Sequence, residues 1–269
     1  MIPAAFEYER AGSVDEAVAL LGRDGEAKLL AGGHSLIPAM RLRFSRPSLL
    51  VDVGRLDDLR YVRESGDRIA IGALTRHAEL ARAPLLRDHC ALIGEAAALI
   101  GDPQVRHRGT IGGSVAHADP ASDLTTVLLT LDADFVARGN DGERTIPAAE
   151  FFIGPFETAL TRQEILTEIR IPKVTAGSYL KHVRRAQDWA TVAVAAARVG
   201  DRVQVGLTSM GPTPLRARAV EEALAGGASP GDAATRTADG TEPPSDVSAS
   251  SEYRAHLVQV LVRRAVAAL

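Results

Sequence analysis

Cysteine is almost missing from this chain of 269 residues: Cys90 stands alone. A single thiol excludes an internal disulfide. It also excludes a cysteine-ligated iron–sulfur cluster held by this chain by itself, because such a cluster takes four thiolates. Cys90 falls in an apolar, helical-looking stretch and reads as a core residue, not a nucleophile. Aromatic residues are scarce at 4%, and Trp189 is the only tryptophan. No apolar run approaches the roughly 20 residues of a membrane span. Charge of one sign is not in excess either. The formal net charge of −3 gives no reason to expect nucleic acid or an anionic membrane as partner. The opening Met1-Ile2-Pro3 lacks the basic and apolar regions of a signal peptide, so a cytoplasmic location is the expectation.

Several chemical signatures are missing as well. Neither HExxH nor CxxC occurs. His34, His107 and the His117/Asp119 pair therefore read as loop hydrogen-bonding residues, with no metal site expected. Ser35 and Ser114 follow glycines, yet neither lies in Gly-x-Ser-x-Gly, and no serine nucleophile is indicated.

What the chain does carry is two glycine-rich runs, Ala31-Gly32-Gly33-His34-Ser35 and Thr110-Ile111-Gly112-Gly113-Ser114. Neither is a Walker loop, and neither fits Gly-x-Gly-x-x-Gly. Each is read as a strip of unencumbered backbone N–H groups able to hold a diphosphate, since glycine lets an anion approach the main chain closely. The first follows a short buried strand, residues 27–30, and precedes a helix over 37–43. The helix dipole favours an anion at that end.

Elsewhere, Ser13 and Glu16 form a capping box before a helix. A hairpin turns at Ser65-Gly66-Asp67. Helices are expected near 75–81, 92–100 and 124–131, and strands over 165–171, 179–185, 192–199 and 203–209. A helix is expected over 215–224, a loosely ordered connection over 226–250, and a final helix over 252–268. Composition is that of an ordinary soluble globular protein with 46% hydrophobic and 24% charged residues. The expected divisions are 1–56, 57–173 and 174–269, with the first two each supplying one glycine run.

Asp123 has two readings, an acceptor for sugar hydroxyls or a first-turn residue favoured by the helix dipole. Lys181, Arg184 and Arg185 are either a protected strand edge or cations near an anionic ligand, with Trp189 able to stack on a flat ring.

The two glycine runs, together with Met40-x-Leu42-Arg43, Asp102-Pro103-Gln104-Val105-Arg106, Ile169-x-Ile171-Pro172 and Pro214-Leu215-Arg216-Ala217, resemble the FAD-binding medium subunits of the molybdenum hydroxylase (xanthine dehydrogenase) family. The likeness is strongest to the branch serving aerobic carbon monoxide dehydrogenases, and it covers nearly the whole chain. It implies an α+β protein: a two-subdomain FAD-binding fold of the vanillyl-alcohol-oxidase (PCMH) type, followed by a C-terminal α+β domain.

The likeness further implies non-covalent FAD between the subdomains. Ala31, Gly32, Gly33, His34 and Ser35 would bind the diphosphate with Thr110, Ile111, Gly112, Gly113 and Ser114. Asp123 would take ribityl or ribose hydroxyls, Ile100, Gly101 and Leu166 would line the cofactor, and Lys181 and Trp189 would stand near the flavin. No catalytic acid, base or nucleophile is implied, because the flavin does the redox chemistry.

Molybdenum cofactor and iron–sulfur clusters would belong to a large and a small partner subunit, in a dimer of heterotrimers passing electrons to quinone, NAD or oxygen. The complex could lie at the inner face of the membrane. Ser122-Asp123-Leu124 stands nearer to xanthine- and aldehyde-oxidising relatives, so a medium subunit for those substrates or for N-heterocycles is an alternative. A free-standing FAD oxidoreductase and a flavin-free assembly protein are the others.

Overall fold

The computed structural model describes residues 1–174 and 176–269, and three main sheets follow one another along the chain. The first is small and parallel. Strand β1 (Glu7–Arg10) leads into helix α1 (Val14–Arg23), β2 (Lys28–Leu30), α2 (Leu36–Arg41) and β3 (Leu49–Asp52), in the spatial order β1-β3-β2. Helix α1 starts where the capping box places it. Ser13 Oγ accepts from the Glu16 N–H at 3.1 Å, and Glu16 Oε2 reaches back to the Gly12 N–H at 2.6 Å. Its buried stripe, Ala17, Val18, Leu20 and Leu21, packs with Leu49, Val51 and Val53. Strand β1 was not expected, because Glu-Tyr-Glu-Arg has no apolar alternation. It is an edge strand held by its main-chain ladder to β3.

The second sheet is antiparallel. Its first hairpin, β4 (Val62–Ser65) and β5 (Arg68–Gly72), turns at Gly66, whose φ of +64° favours glycine. Six helices follow: α3 (His77–Leu80), α4 (Pro84–His89), α5 (Ala91–Ala98), α6 (Pro103–Arg108), α7 (Ile111–His117) and α8 (Asp123–Thr130). The chain returns through β6 (Asp134–Gly139), β7 (Gly142–Pro147), helix α9 (Ala148–Phe151), a small hairpin of β8 (Phe152–Gly154) and β9 (Glu157–Thr158), and β10 (Ile165–Pro172). The strand order is β4-β5-β10-β6-β7. Ile69, Ile71, Phe135 and Ile169 form one core with Leu80, Ile93, Ile111, Leu124 and Leu128 from the helices. Each such fully buried side chain contributes about 1.5–3 kcal/mol.

The third sheet holds β11 (Gly177–His182), β12 (Val192–Val199), β13 (Arg202–Thr208) and β14 (Leu215–Arg216) in that order, with helices α10 (Arg218–Ala225), α11 (Pro230–Ala234) and α12 (Ser251–Ala267). Strand β12 feeds two cores. Ala193, Ala195 and Ala197 join the interior of the second sheet, while Val192, Val194 and Ala196 join Val258 and Val262 of α12. Gly206 of β13 lies so close to α8 that a Cβ would overlap Thr130 Oγ1.

Two expectations are corrected here. The helix expected over 215–224 begins only at Arg218, because Leu215 and Arg216 pair with Leu207 and Gly206 on the sheet edge. The connection over 226–250 contains α11, capped by Ser229, and Ala233 and Ala234 are buried.

Candidate functional site

The first glycine run leaves the end of β2, and its conformation is that of an open loop. Gly33 sits at φ +77°, a region that costs an L side chain strain. Carbonyls of the run start the next helix: Ile37 N–H donates to Gly33 at 3.0 Å and Ala39 N–H to Ser35 at 3.2 Å. Among the described residues, the amide N–H groups of Gly32, Gly33, His34 and Ser35 have no acceptor within the chain. Ser35 occupies the N-cap of α2 without making a side-chain cap bond. Four successive amides and one hydroxyl are therefore available to an external anion.

The second run departs from its reading as bare amides. Thr110 is an N-cap, and residues 111–117 are helix α7. Ile111 N–H donates to Thr75 O at 3.0 Å, Gly112 N–H to Ala73 O at 2.8 Å, and Ser114 N–H to Thr110 O at 3.1 Å. Gly113 N–H donates to Thr110 Oγ1 at 3.2 Å. The glycines serve a different purpose from the one expected. A Cβ on Gly112 would lie 2.6 Å from Ala73 Cβ, so this glycine lets α7 pack onto the end of β5. What the second run presents to a ligand is the exposed Gly113, the half-buried Ser114 and the positive end of a short helix.

The two runs adjoin. A Cβ on Gly32 would clash with the Arg108 carbonyl oxygen and lie 2.9 Å from Gly109 Cα. Gly32 is thus the point at which the first loop rests against the main chain just before Thr110. Ala31 and Thr110 also line one small cleft together with Gly54, Asp57, Arg60, Arg76 and Arg108, and Arg60 there is already paired with Glu79 and Asp57. Open amides and main chains in close approach suit the diphosphate of a dinucleotide, so these residues fit FAD.

Ile100 and Gly101 lie just before α6. Both of their carbonyls accept from Arg106 Nη1, at 3.0 and 2.9 Å, and Gly101 adopts φ +48°. Lys181 Nζ donates to the neighbouring Leu99 carbonyl at 3.2 Å and to Asp123 Oδ2 at 3.0 Å. Tyr179 donates its hydroxyl to Asp123 Oδ1. Asp123 and Lys181 are 3% and 5% exposed at the side chain. Both Asp123 oxygens therefore already have protein donors, and the carboxylate ties α8 to β11.

Burial pushes the Asp123 carboxyl above its ordinary value, against the pull of Lys181 and Tyr179. It also lifts the Tyr179 hydroxyl well above its own. Leu166 is buried in β10 beside an irregularity in its pairing with β6. Trp189 stands 59% exposed on the loop after β11. Sequence reasoning missed Tyr179, although Tyr179 and Lys181 share one face of a strand by simple alternation. It also missed His77, which packs beneath Gly109 and for which no local signal exists.

With this geometry in place, comparison with known proteins gives a consistent result. Residues 4–174 match the FAD binding domain in molybdopterin dehydrogenase. Residues 177–269 match the CO dehydrogenase flavoprotein C-terminal domain. The chain is 42% identical to the carbon monoxide dehydrogenase medium chain of Hydrogenophaga pseudoflava, covering 99% of this chain and 97% of the relative. It is 39% identical to the 6-hydroxypseudooxynicotine dehydrogenase complex subunit alpha of Paenarthrobacter nicotinovorans, over 99% and 95%. The solved carbon monoxide dehydrogenase of Hydrogenophaga pseudoflava superposes with a TM-score of 0.95 at 42% identity, over 100% of this chain and 98% of that one. Two domain matches in tandem, near-complete coverage of a relative at 42% identity and the close superposition agree with one another: the chain belongs to the FAD-binding medium subunits of carbon monoxide dehydrogenase and related molybdenum hydroxylases.

Proposed function

We propose that this chain binds FAD non-covalently across the seam between its first two sheets. It would act as the electron-transfer subunit between a small iron–sulfur subunit and an external acceptor. The observation that carries the reading is the abutment of Gly32 on Arg108 and Gly109, which joins the open amides of one loop to the start of α7. In this reading Ala31 to Ser35 grip the diphosphate through main-chain N–H groups, and Gly113 and Ser114 meet it from the other side. Ile100, Gly101 and Leu166 line the cofactor, and Trp189 covers the flavin end. The isoalloxazine, when bound, supplies the redox chemistry.

The protein's part is to fix the position and surroundings of that ring. The Asp123–Lys181–Tyr179 cluster serves this by holding the C-terminal domain against α8, and Asp123 keeps lone pairs for a sugar hydroxyl. The divisions 1–56, 57–173 and 174–269 place the cofactor between the first two pieces, with the third as a cover.

The molybdenum cofactor belongs, on this proposal, to a large subunit, in a dimer of heterotrimers of the carbon monoxide dehydrogenase type. Relatives named for carbon monoxide and for 6-hydroxypseudooxynicotine match at 42% and 39% over nearly the same length. One medium-subunit scaffold accompanies different substrates, which supports placing substrate choice in the large subunit. Quinone, NAD or oxygen would accept the electrons, in the cytoplasm or at the inner face of the membrane. Among the described residues, no helix is long and apolar enough to cross one.

The test is purification of the native complex. The reading expects one large molybdenum chain and one small iron–sulfur chain per copy of this chain, and a flavin spectrum that carbon monoxide bleaches. A chain that purifies alone and is reduced directly by a substrate would instead be a free-standing oxidoreductase.

A further inference from the structure

Beneath the second glycine run lies a histidine that the FAD reading does not use. His77 opens α3 and is 2% exposed. Its Nε2 is 3.2 Å from Ser114 Oγ. Its Nδ1 is buried and, among the described residues, has no hydrogen-bond partner. The ring is wedged against Gly109, where a Cβ would lie 2.8 Å from Cδ2 and 2.9 Å from Nε2. The His77 N–H donates to the Gly109 carbonyl at 3.0 Å, so ring and backbone are both fixed to the segment that starts α7. Burial, aided by the nearby charges of His34 and Arg106, holds the imidazole pKa down to about 4. The ring is therefore neutral at neutral pH, and its single proton sits on one nitrogen or the other.

Placing that proton is a choice between two costs. On Nδ1 it leaves a buried N–H donor with no acceptor, which folded proteins scarcely tolerate. On Nε2 it leaves only an unpaired ring lone pair at Nδ1, and the N–H is satisfied by Ser114 Oγ. The second arrangement also decides what Ser114 does. Its oxygen accepts from the imidazole, so its own hydrogen is left to donate elsewhere. Among the described residues, the Ser114 hydroxyl has no acceptor besides the histidine ring.

We propose that His77 is the positioning residue of the diphosphate cradle: its Nε2–H donates to Ser114 Oγ and turns the serine hydrogen outward to a phosphate oxygen. The proposal rests on the reading of this cleft as an FAD site. Because α7 has its first amides occupied by Ala73, Thr75 and Thr110, and the Thr110 hydroxyl is a buried cap, the half-buried Ser114 hydroxyl is the donor through which the second run reaches a ligand. His77 makes it a donor of fixed direction.

Titrations of the full chain with FAD, followed by flavin fluorescence, test this. His77→Leu and Ser114→Ala are each expected to weaken binding about tenfold, the effect of one hydrogen bond to a charged group. His77→Gln, which retains an N–H at the position of Nε2, is expected to stay within about threefold of wild type. The double variant His77→Leu/Ser114→Ala is expected to bind no worse than Ser114→Ala alone, since both act through one donor.

A second measurement needs neither FAD nor a variant. Nitrogen NMR of the free wild-type chain should show His77 protonated on Nε2 at neutral pH. Additive losses in the double variant, or an Nδ1–H tautomer, would overturn the assignment. A wild-type chain that takes up no FAD would sink the cofactor reading itself, a separate failure.

Discussion

Replacing Gly32 by alanine tests the meeting of the two glycine runs more sharply than any other single change. The new Cβ would overlap the Arg108 carbonyl oxygen and stand 2.9 Å from Gly109 Cα. Ordinary contact begins at 3.4 Å, so the two main chains must separate by at least about half an ångström, and neither can rotate away as a side chain would. Overpacking of this kind costs about 1–3 kcal/mol. The displacement falls on the amides that would hold the diphosphate, so FAD affinity should drop at least about tenfold.

Gly66→Ala is the control. It sits at φ +64° with nothing within 4 Å of the added Cβ, at the turn of a hairpin. It should lose about 1 kcal/mol of stability through backbone strain alone and bind FAD as wild type does. Isothermal titration with FAD, paired with urea melts of the free chains, separates the two effects. If Gly32→Ala binds FAD with unchanged affinity, the two runs do not grip a common ligand and the site is elsewhere.

Other outcomes follow from the same geometry. Lys181→Met leaves the Asp123 carboxylate buried with Tyr179 as its remaining partner and should cost about 3–5 kcal/mol. The Asp123 carboxyl is already raised by burial, and losing the cation raises it further. The variant's stability should therefore fall as pH rises from about 4 through the new, higher value; urea melts showing the same deficit at acid and neutral pH would contradict this. Arg144 holds the Glu164 carboxyl down to about 2. Their ion pair should contribute about 1 kcal/mol at neutral pH, limited by solvent at the half-exposed arginine. That contribution should fade as pH drops from about 4.5 towards about 2, and a pH-independent gap between wild type and Arg144→Met in acid melts would refute it. Trp189→Ala should change the rate of flavin reoxidation more than the affinity for FAD; stopped-flow traces that match wild type would remove it from the flavin's surroundings.

Much of the architecture was legible because local chemistry and tertiary outcome agree. The Ser13–Glu16 box starts α1, the Ser65-Gly66-Asp67 turn makes a hairpin, and the runs over 192–199 and 203–209, either side of Gly200-Asp201, pair as strands. The first glycine run was legible for the same reason, since Gly33 needs its positive φ locally. The second was not. Adjacent glycines weaken a helix, and what makes 111–117 helical is the Thr110 cap together with acceptors on Ala73 and Thr75, more than 30 residues away in sequence. Distance along the chain also hid the pairing of Asp123 with Lys181, 58 residues apart, and of His77 with Ser114, 37 apart. Strand β7 was hidden by its run of polar residues, and Ile146 is its one buried residue.

Strand β12 is a party wall. Ala193, Ala195 and Ala197 belong to the interior of the second sheet, and Val192, Val194 and Ala196 to the interior closed by α12. The boundary between the two matched families, near residue 175, is therefore not a place where the molecule comes apart into modules. Grafting the last third of one relative onto another has to transplant two features together: a small-residue surface that admits α8, and a cation at the height of Asp123.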